Sequence, residues 1–185
     1  MTRIIAGFAG SLTIAVPGSG TRPTSDRVRE AIFSALEARD AIAGMHVLDL
    51  YAGSGALGLE AASRGAASVM LVDRVIRTAK ANAACILAQA PAGADLRIRS
   101  AGQPVQSFLD AAVGAWDLVF LDPPYELGET ELGHNLAALV PHLGPDAVVV
   151  LERGSRSPEP AWPQGLVAER RKAYGDTVIH WAVRA

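Results

Sequence analysis

The most informative segment of the chain reads Val47-Leu48-Asp49-Leu50-Tyr51-Ala52-Gly53-Ser54-Gly55-Ala56-Leu57-Gly58. Its apolar beginning predicts a buried β-strand, and its glycines predict a tight turn that opens a helix. Glycines in such a turn let a ligand approach the backbone closely, and the first amides of the helix point at that ligand. The segment therefore predicts the ligand-binding turn of an α/β fold.

Further apolar runs on either side of this segment predict the rest of the architecture. Runs without polar alternation predict parallel strands buried on both faces, at 46–51, 68–72, 95–99, 117–121 and 146–151. Apolar residues recur at helical spacing over 76–87 and 132–143, between the predicted strands. The tail, 166–172 and 177–184, is typical of an antiparallel hairpin. These elements predict a Rossmann-like α/β fold with a mostly parallel sheet.

The first 45 residues predict a small appendage without a second core. Short runs at 3–6 and 12–16 predict a hairpin, and Thr24 is positioned to cap a helix that carries one apolar stripe. A chain of 185 residues forms one core more readily than two. We therefore expect an appendage at 1–45 and a main domain at 46–185.

Composition limits the classes of protein to which the chain can belong. It has no apolar run of membrane-spanning length and no secretory signal at its start, so we expect a cytoplasmic protein. The single cysteine, Cys85, offers no disulfide framework, and we expect it to be a small buried apolar residue. The four histidines lack metal-ligand spacing, so we predict no metal site.

Charge is distributed unevenly along the chain. The formal net charge is -2, but residues 1–30 and 151–185 each carry +2, which leaves -6 for the middle. Basic edges suit phosphate contacts, and an acidic centre suits a cationic ligand. Ordinary solvated surface charge explains the same split, and both interpretations stay open here.

A second motif, Phe120-Leu121-Asp122-Pro123-Pro124-Tyr125, follows the fourth predicted main-domain strand. Parallel strands gather their ligands at their carboxyl ends, so this loop should face the glycine turn. Two prolines make the loop rigid and remove amide donors, whereas the Asp122 carboxylate and the Pro123 carbonyl are acceptors. With Tyr125 as a stacking surface, the loop predicts a site for a planar base that carries an amino group.

The glycine turn alone admits two kinds of cofactor. Gly53, Gly55 and Gly58 satisfy the dinucleotide fingerprint, and Asp73 ends the next strand where an acid would bind ribose hydroxyls. Asp49, inside the first strand of the main domain, favours a cofactor with an ammonium and a sulfonium over a pyrophosphate. A nicotinamide-dependent dehydrogenase stays open as the weaker alternative.

Taken together, the motifs resemble the RsmD family of 16S ribosomal RNA guanine-N2 methyltransferases. The resemblance covers nearly the whole chain and includes Arg3-Ile4-Ile5-Ala6-Gly7, Arg22-Pro23-Thr24-Ser25-Asp26-Arg27-Val28-Arg29-Glu30, the glycine turn and Asp122-Pro123-Pro124-Tyr125. It implies a seven-stranded methyltransferase sheet, S-adenosylmethionine as cofactor, and a guanine of the small-subunit RNA as substrate. An adenine-N6 methyltransferase is the alternative, because the same acceptors would hold either amine.

The resemblance also implies roles for individual residues. Asp122, Pro123, Pro124 and Tyr125 would form the base-amine site. The cofactor would lie against Asp49, Asp73, Asp122 and, around the turn and the second strand, Ala52, Gly53, Ser54, Gly55 and Arg74. Such enzymes often bind adenine through an Asp or Asn after the third strand, but this chain has Arg99-Ser100-Ala101-Gly102-Gln103 there. We therefore expect the Ala101 backbone, Ser100 or Gln103 to bind the adenine.

The N-terminal arginines complete the predicted site. Arginine binds phosphate bidentately, so we expect RNA contacts from Arg3, Arg22, Arg27 and Arg29, with Thr24 beside them. Pairing of these arginines with Asp26 and Glu30 on a solvated helix is the alternative. The predicted partner is 16S RNA within an assembling small subunit, bound by a monomer.

Overall fold

The computed structural model describes residues 2–18 and 25–185. Its strands are β1 (Thr2–Arg3), β2 (Thr13–Ile14), β3 (His46–Leu50), β4 (Ser68–Asp73), β5 (Arg97–Gly102), β6 (Trp116–Leu121), β7 (Leu143–Gly154), β8 (Leu166–Tyr174) and β9 (Thr177–Arg184). Its α-helices are α1 (Asp26–Glu37), α2 (Ala56–Ser63), α3 (Arg77–Ala88), α4 (Val105–Ala111) and α5 (Glu129–Leu139). A 3₁₀ turn, Val140–His142, follows α5.

Seven strands form one sheet in the order β5-β4-β3-β6-β7-β9-β8. Strands β5, β4, β3, β6 and β7 are parallel, and β9 runs antiparallel between β7 and β8. The predicted Rossmann-like α/β fold with an antiparallel C-terminal hairpin is confirmed. The chain order reverses between β3 and β6, and a crevice forms at this point in open α/β sheets.

Strand β5 and helix α4 are two of the elements that differ from the sequence prediction. Strand β5 covers 97–102 instead of 95–99, because this edge strand alternates exposed and half-buried residues and lacks an apolar run. Helix α4 was not predicted, because its seven residues are too few for helical spacing to stand out. Val105, Phe108 and Leu109 are the buried residues of that helix.

Each face of the sheet has its own apolar core. Helices α1, α2 and α3 cover one face, where Phe33, Val47 and Phe120 pack in a first core cluster. Helices α4 and α5 cover the other face, where Leu48, Leu121 and Leu151 belong to a second core cluster. Neighbouring residues along a strand alternate between the two clusters, which fixes the face on which each side chain lies.

The N-terminal segment is fastened to α2 by two buried polar side chains. Glu60, fully buried, accepts hydrogen bonds from the backbone amides of Ile5 at 2.7 Å and Ala6 at 3.0 Å. The Ser63 hydroxyl accepts from the Ala9 amide at 2.9 Å and donates to the Ala6 carbonyl at 2.6 Å. The segment is therefore part of the first core cluster, although its predicted hairpin is only two residues long on each strand.

Three local predictions need correction or comment. The N-cap of α1 is Ser25, whose hydroxyl accepts from the Val28 amide at 3.3 Å, and the predicted cap Thr24 lies outside the described residues. Cys85 is exposed on α3, so its predicted burial is wrong, because it lies off the helix face that carries Ala79, Ala83 and Ile86. Among the residues described, no helix combines the length and the hydropathy that spanning a membrane requires.

Candidate functional site

A cavity of about 480 Å³ opens where β3, β4, β6 and β7 end. It collects both sequence motifs: its described lining includes Asp49, Ala52, Gly53, Ser54, Asp73, Arg74, Asp122, Pro123, Pro124 and Tyr125. Gly55 and Ala101 were predicted at the site but are not among its lining residues. The cavity therefore brings the glycine turn beside the Asp-Pro-Pro-Tyr loop, as parallel strands that share one edge require.

The glycine turn depends on left-handed backbone at two glycines that are separated by one residue. Gly53 has a φ of +55° and Gly55, the N-cap of α2, has a φ of +80°. A Cβ on Gly58 would lie 2.7 Å from Leu71 Cδ2, so this glycine lets α2 pack closely on β4. Gly55 does not line the cavity, but as the N-cap of α2 it helps to set the conformation of the glycine turn that does.

Asp49 is buried beneath the turn, with 1% of its surface exposed. Its Oδ2 accepts a hydrogen bond from the Gly58 amide at 2.8 Å, which ties β3 to α2. Burial raises the pKa of Asp49, the Gly58 hydrogen bond lowers it and the nearby Asp73 carboxylate raises it, and the combined effect is a pKa of about 7. A cation beside Asp49 would favour its ionised form.

Asp73 ends β4 and accepts two backbone hydrogen bonds. The Gly53 amide donates to its Oδ2 at 2.9 Å, and the Val75 amide donates to its Oδ1 at 2.9 Å. The carboxylate therefore holds the glycine turn in place while remaining half-buried at the cavity edge. Arg74, the next residue, is exposed and lines the same cavity.

The Asp-Pro-Pro-Tyr loop is held at both of its ends. The Asp122 amide donates to the Leu50 carbonyl at 3.4 Å, and the Leu127 amide donates to the Pro124 carbonyl at 2.9 Å. Tyr125 is 58% exposed, and its ring packs on Gly154, where a Cβ would lie 3.2 Å from the ring carbons. An exposed ring on a fixed support is a suitable stacking surface for a base.

The N-terminal segment supplies a wall of the cavity that was not predicted from the sequence. Val16 and Pro17 line it, and Asn82 of α3 holds the preceding Ala15 through two hydrogen bonds of 3.0 and 2.8 Å. The same Asn82 amide donates to the Ser54 carbonyl at 2.9 Å. One side chain therefore links the N-terminal wall to the glycine turn.

Several other lining residues were not predicted from the sequence. Apolar Leu57 and Val105 border the cavity, as do the acids Glu126, Glu131 and Glu152. Tyr51 also lines it: burial raises its pKa to about 12, so the phenol is neutral, and the Asn135 amide donates to its hydroxyl.

The predicted RNA contact of Arg29 is wrong. Its side chain is fully buried, and its Nη2 donates to the Arg3 carbonyl at 2.8 Å and to Asp26 Oδ1 at 2.6 Å. Its Nη1 lies 3.8 Å from Glu60. An arginine placed in this way ties α1 to the N-terminal strand and does not reach a phosphate.

The other predicted RNA-binding residues divide into two groups. Arg27 is exposed on α1, and Arg3 is 64% exposed with its Nε 3.3 Å from Asp26. Arg22 and Thr24 lie outside the described residues. RNA contact by Arg3 and Arg27 stays a prediction, as does an adenine contact by Ala101, which pairs with Val72 in the sheet.

The charge and shape of the cavity suit a cationic adenosine cofactor. Among the residues that the structure describes, six carboxylates line it against two arginines, of which Arg29 is engaged within the protein. Such a surface attracts a sulfonium and an ammonium and repels a pyrophosphate. Leu57 and Val105 offer apolar surface for an adenine ring, and Asp73 offers acceptors for ribose hydroxyls. S-adenosylmethionine therefore fits the residues present better than a nicotinamide dinucleotide does.

The family described as "Conserved hypothetical protein 95" matches residues 2–183 of the chain. The chain is 36% identical over 174 residues to the ribosomal RNA small subunit methyltransferase D of Escherichia coli, which covers 94% of this chain and 85% of that protein. It is 32% identical over 162 residues to the methyltransferase D of Haemophilus influenzae, with 84% and 80% covered.

Solved structures show the same fold. The yhhF protein of Escherichia coli superposes with a TM-score of 0.81 at 32% identity, covering 98% of this chain and 97% of that one. The magnesium protoporphyrin IX methyltransferase of Synechocystis PCC 6803 with bound SAM superposes with a TM-score of 0.67 at 18% identity, covering 91% and 87%. The second similarity concerns the fold alone.

Proposed function

Because the chain belongs to the RsmD family of S-adenosylmethionine-dependent methyltransferases, we propose that it methylates the 2-amino group of a guanine in 16S ribosomal RNA. The observation that carries this proposal is the meeting of two motifs in one cavity. The glycine turn with Asp73 forms one side, and the Asp-Pro-Pro-Tyr loop forms another. An enzyme that transfers a methyl group from an adenosine cofactor to a base amine needs both motifs.

We assign the cofactor to the side of the cavity formed by β3, β4 and α2. Asp73 would hold ribose hydroxyls, the Gly53 turn would let the backbone approach closely, and Asp49 would balance the positive charge. When bound, the cofactor supplies a methyl group that its sulfonium already activates, so neither a metal nor a covalent intermediate is needed. The protein contributes mainly by positioning the two reactants.

Asp122 and its neighbours would position the base. The Asp122 carboxylate and the Pro123 carbonyl accept the two hydrogens of the amine, while Tyr125 stacks on the ring. The bound cofactor would supply its methyl group to the amine nitrogen, which Asp122 and Pro123 would hold in position. The proton lost by the nitrogen passes to Asp122 and from there to solvent, which balances the charge.

RNA would reach the cavity across the N-terminal segment, whose exposed Arg3 and Arg27 can meet phosphates. This surface is small for the recognition of one base in a long RNA. We therefore propose that the substrate is an assembling small subunit in the cytoplasm, whose folded RNA and proteins add further contacts, and that the enzyme acts as a monomer.

Two measurements test the proposed function. Thermal stabilisation by S-adenosylmethionine but not by NAD separates a methyltransferase from a dehydrogenase. Transfer of a labelled methyl group is then compared between protein-free 16S RNA and small-subunit particles that lack native modification. We expect faster transfer to the particles, and labelling of protein-free RNA alone would contradict an assembly intermediate as substrate.

A further inference from the structure

Strand β8, at one edge of the sheet, carries three consecutive cations, Arg170, Arg171 and Lys172, and all three are exposed. Arg170 pairs with Trp181 of β9. Lys172 pairs with Ile179, and both partners belong to the first core cluster. Residues directly opposite each other lie on the same face of a sheet, so Arg170 and Lys172 project from the face that holds this cluster.

The same face of the sheet connects β8 to the proposed base site. The Tyr125 ring packs on Gly154, the last residue of β7. Gly154 pairs with Thr177 of β9, which in turn pairs with Tyr174 of β8. Two strand spacings of about 4.8 Å each therefore separate Gly154 from Tyr174. Tyr174 packs against the first core cluster, and the Lys172 ammonium lies 5.1 Å from the centroid of its ring.

Arg170, Lys172 and Tyr174 form what we call the β8 strip, and its charge suits phosphates. Glu169, the acid of this strand, accepts a hydrogen bond of 3.1 Å from Arg39 Nη2 and is thereby balanced. Exposed cations along a strand attract a polyanion. The strip lies beyond the Asp-Pro-Pro-Tyr side of the cavity, whereas β5, the other edge strand, lies beyond the cofactor side. An RNA strand with its base at the Asp-Pro-Pro-Tyr loop can thus continue along β8 without crossing the cofactor.

We propose that the β8 strip is a second RNA-binding surface, where Arg170 and Lys172 contact phosphates next to the target guanine and the Tyr174 ring supports the Lys172 ammonium. The inference rests on the proposed function and deepens it, because Arg3 and Arg27 alone offer little surface to an RNA. Phosphate contacts position a nucleic acid without reading its sequence. The strip should therefore lower the KM for RNA and leave kcat unchanged.

Charge on an edge strand has a second use, because it prevents pairing with the edge of another chain. Charge of either sign serves that purpose, whereas only positive charge binds phosphates. The variant Arg170→Glu/Lys172→Glu separates the two roles, since it keeps the edge charged and reverses the sign. Wild-type affinity for RNA in this variant would mean that edge protection is the whole role of these residues, and would overturn the proposal.

Two measurements on this variant test the proposal. Methyl transfer to small-subunit particles that lack native modification gives KM and kcat, and we expect KM to rise at least about tenfold with kcat and S-adenosylmethionine affinity unchanged. Fluorescence anisotropy with 16S RNA at several salt concentrations gives the slope of log affinity against log salt. That slope should become shallower by about 1.4, because each phosphate contact to a single strand contributes about 0.7.

The matched control is Arg97→Glu/Lys80→Glu, the same charge reversal at exposed positions on β5 and α3. Its KM and its salt slope should equal those of the wild type. Equal changes in both double variants would show that net charge alone matters, which overturns the proposal.

If the double β8 variant does not fold, Arg170→Gln and Lys172→Gln take its place, and each should make the slope shallower by about 0.7. Unchanged slopes in both single variants overturn the proposal. If the wild type labels no guanine, the proposed function fails. If the wild type labels guanine and the salt slopes are equal, only the role of the β8 strip fails.

Discussion

The Gly53 amide donates a hydrogen bond of 2.9 Å to the Asp73 carboxylate, which joins the glycine turn to the end of the neighbouring strand. The two residues are twenty positions apart in the chain, and together they form the side of the cavity assigned to the cofactor. One acid therefore shapes the turn and also offers acceptors to a ligand.

Replacing this acid should weaken cofactor binding before anything else. Asp73→Ala removes the acceptor of the Gly53 and Val75 amides, and hydrogen bonds to a charged group contribute about 1.5–3 kcal/mol each. We expect S-adenosylmethionine affinity to fall by about 10- to 100-fold, with Asp73→Asn intermediate. Isothermal titration calorimetry measures this, and unchanged affinity in both variants would contradict the assignment.

In contrast to Asp73→Ala, Asp122→Ala should lower the rate of methyl transfer and not the affinity for the cofactor. The amine loses its acceptor in the transition state, so kcat should fall by about 100- to 1000-fold while cofactor affinity stays nearly unchanged. Single-turnover methyl transfer combined with calorimetry on the same preparation separates the two effects. A variant that binds no cofactor but keeps its affinity for RNA would show that the division of roles between Asp122 and Asp73 is wrong.

Asp49 should make the stability of the fold depend on pH. Its folded pKa of about 7 lies above the ordinary value of 3.8, so the contribution of this group to the stability is present below 3.8 and is lost as the pH rises to 7. Asp49→Asn keeps an acceptor for the Gly58 amide but cannot ionise. The melting temperature of the variant minus that of the wild type should therefore grow between pH 4 and pH 7.

Thermal unfolding of both proteins across this pH range measures the effect, and a constant difference would contradict a buried, neutral Asp49. Binding of a cationic cofactor should favour the ionised carboxylate and release a proton near pH 7. Calorimetry in two buffers with different ionisation enthalpies detects that proton.

Gly154→Ala should disturb the stacking surface without touching the cofactor. The new Cβ would lie 3.2 Å from the Tyr125 ring, which must then shift on its support. We expect slower methyl transfer with unchanged S-adenosylmethionine affinity. Gly133→Ala on α5 is the control, because a Cβ there meets nothing within 4 Å. Equal rates for the two variants would show that the position of Tyr125 is unimportant.

Substitutions of Arg29 and Arg27 should have different effects, because Arg29 has a structural role and Arg27 is predicted to bind RNA. Removing one partner of a buried ion pair costs about 3–5 kcal/mol, so Arg29→Met should lower the melting temperature markedly. Arg27→Ala should leave the melting temperature unchanged but weaken RNA binding and lower its salt dependence. Fluorescence anisotropy at several salt concentrations measures the second effect, and equal RNA affinity for Arg27→Ala and the wild type would contradict contact.

Local motifs were predictable from the sequence because their chemistry lies within a few residues. The glycine turn and the Asp-Pro-Pro-Tyr loop each follow a buried strand, and parallel topology brings strand ends together. The wall formed by Val16 and Pro17 was not predictable, because Asn82 holds it across 67 positions of the chain. Only tertiary packing shows that contact.

Two charged residues show that a polar residue type does not by itself predict where the side chain lies in the fold. Arg29 looks like a solvated helix residue, yet the Arg3 carbonyl, Asp26 and Glu60 enclose its guanidinium. Glu152 follows an apolar run in the same way that Asp122 does, and this shared position after a predicted strand was the one available signal. Strand order, which the sequence does not display, makes them neighbours.

Identification of the methylated nucleoside tests the central claim most directly. Small-subunit particles that lack native modification are incubated with the protein and labelled S-adenosylmethionine, and their RNA is digested to nucleosides and separated. We expect N2-methylguanosine at a single site. N6-methyladenosine as the labelled product would contradict the proposed substrate.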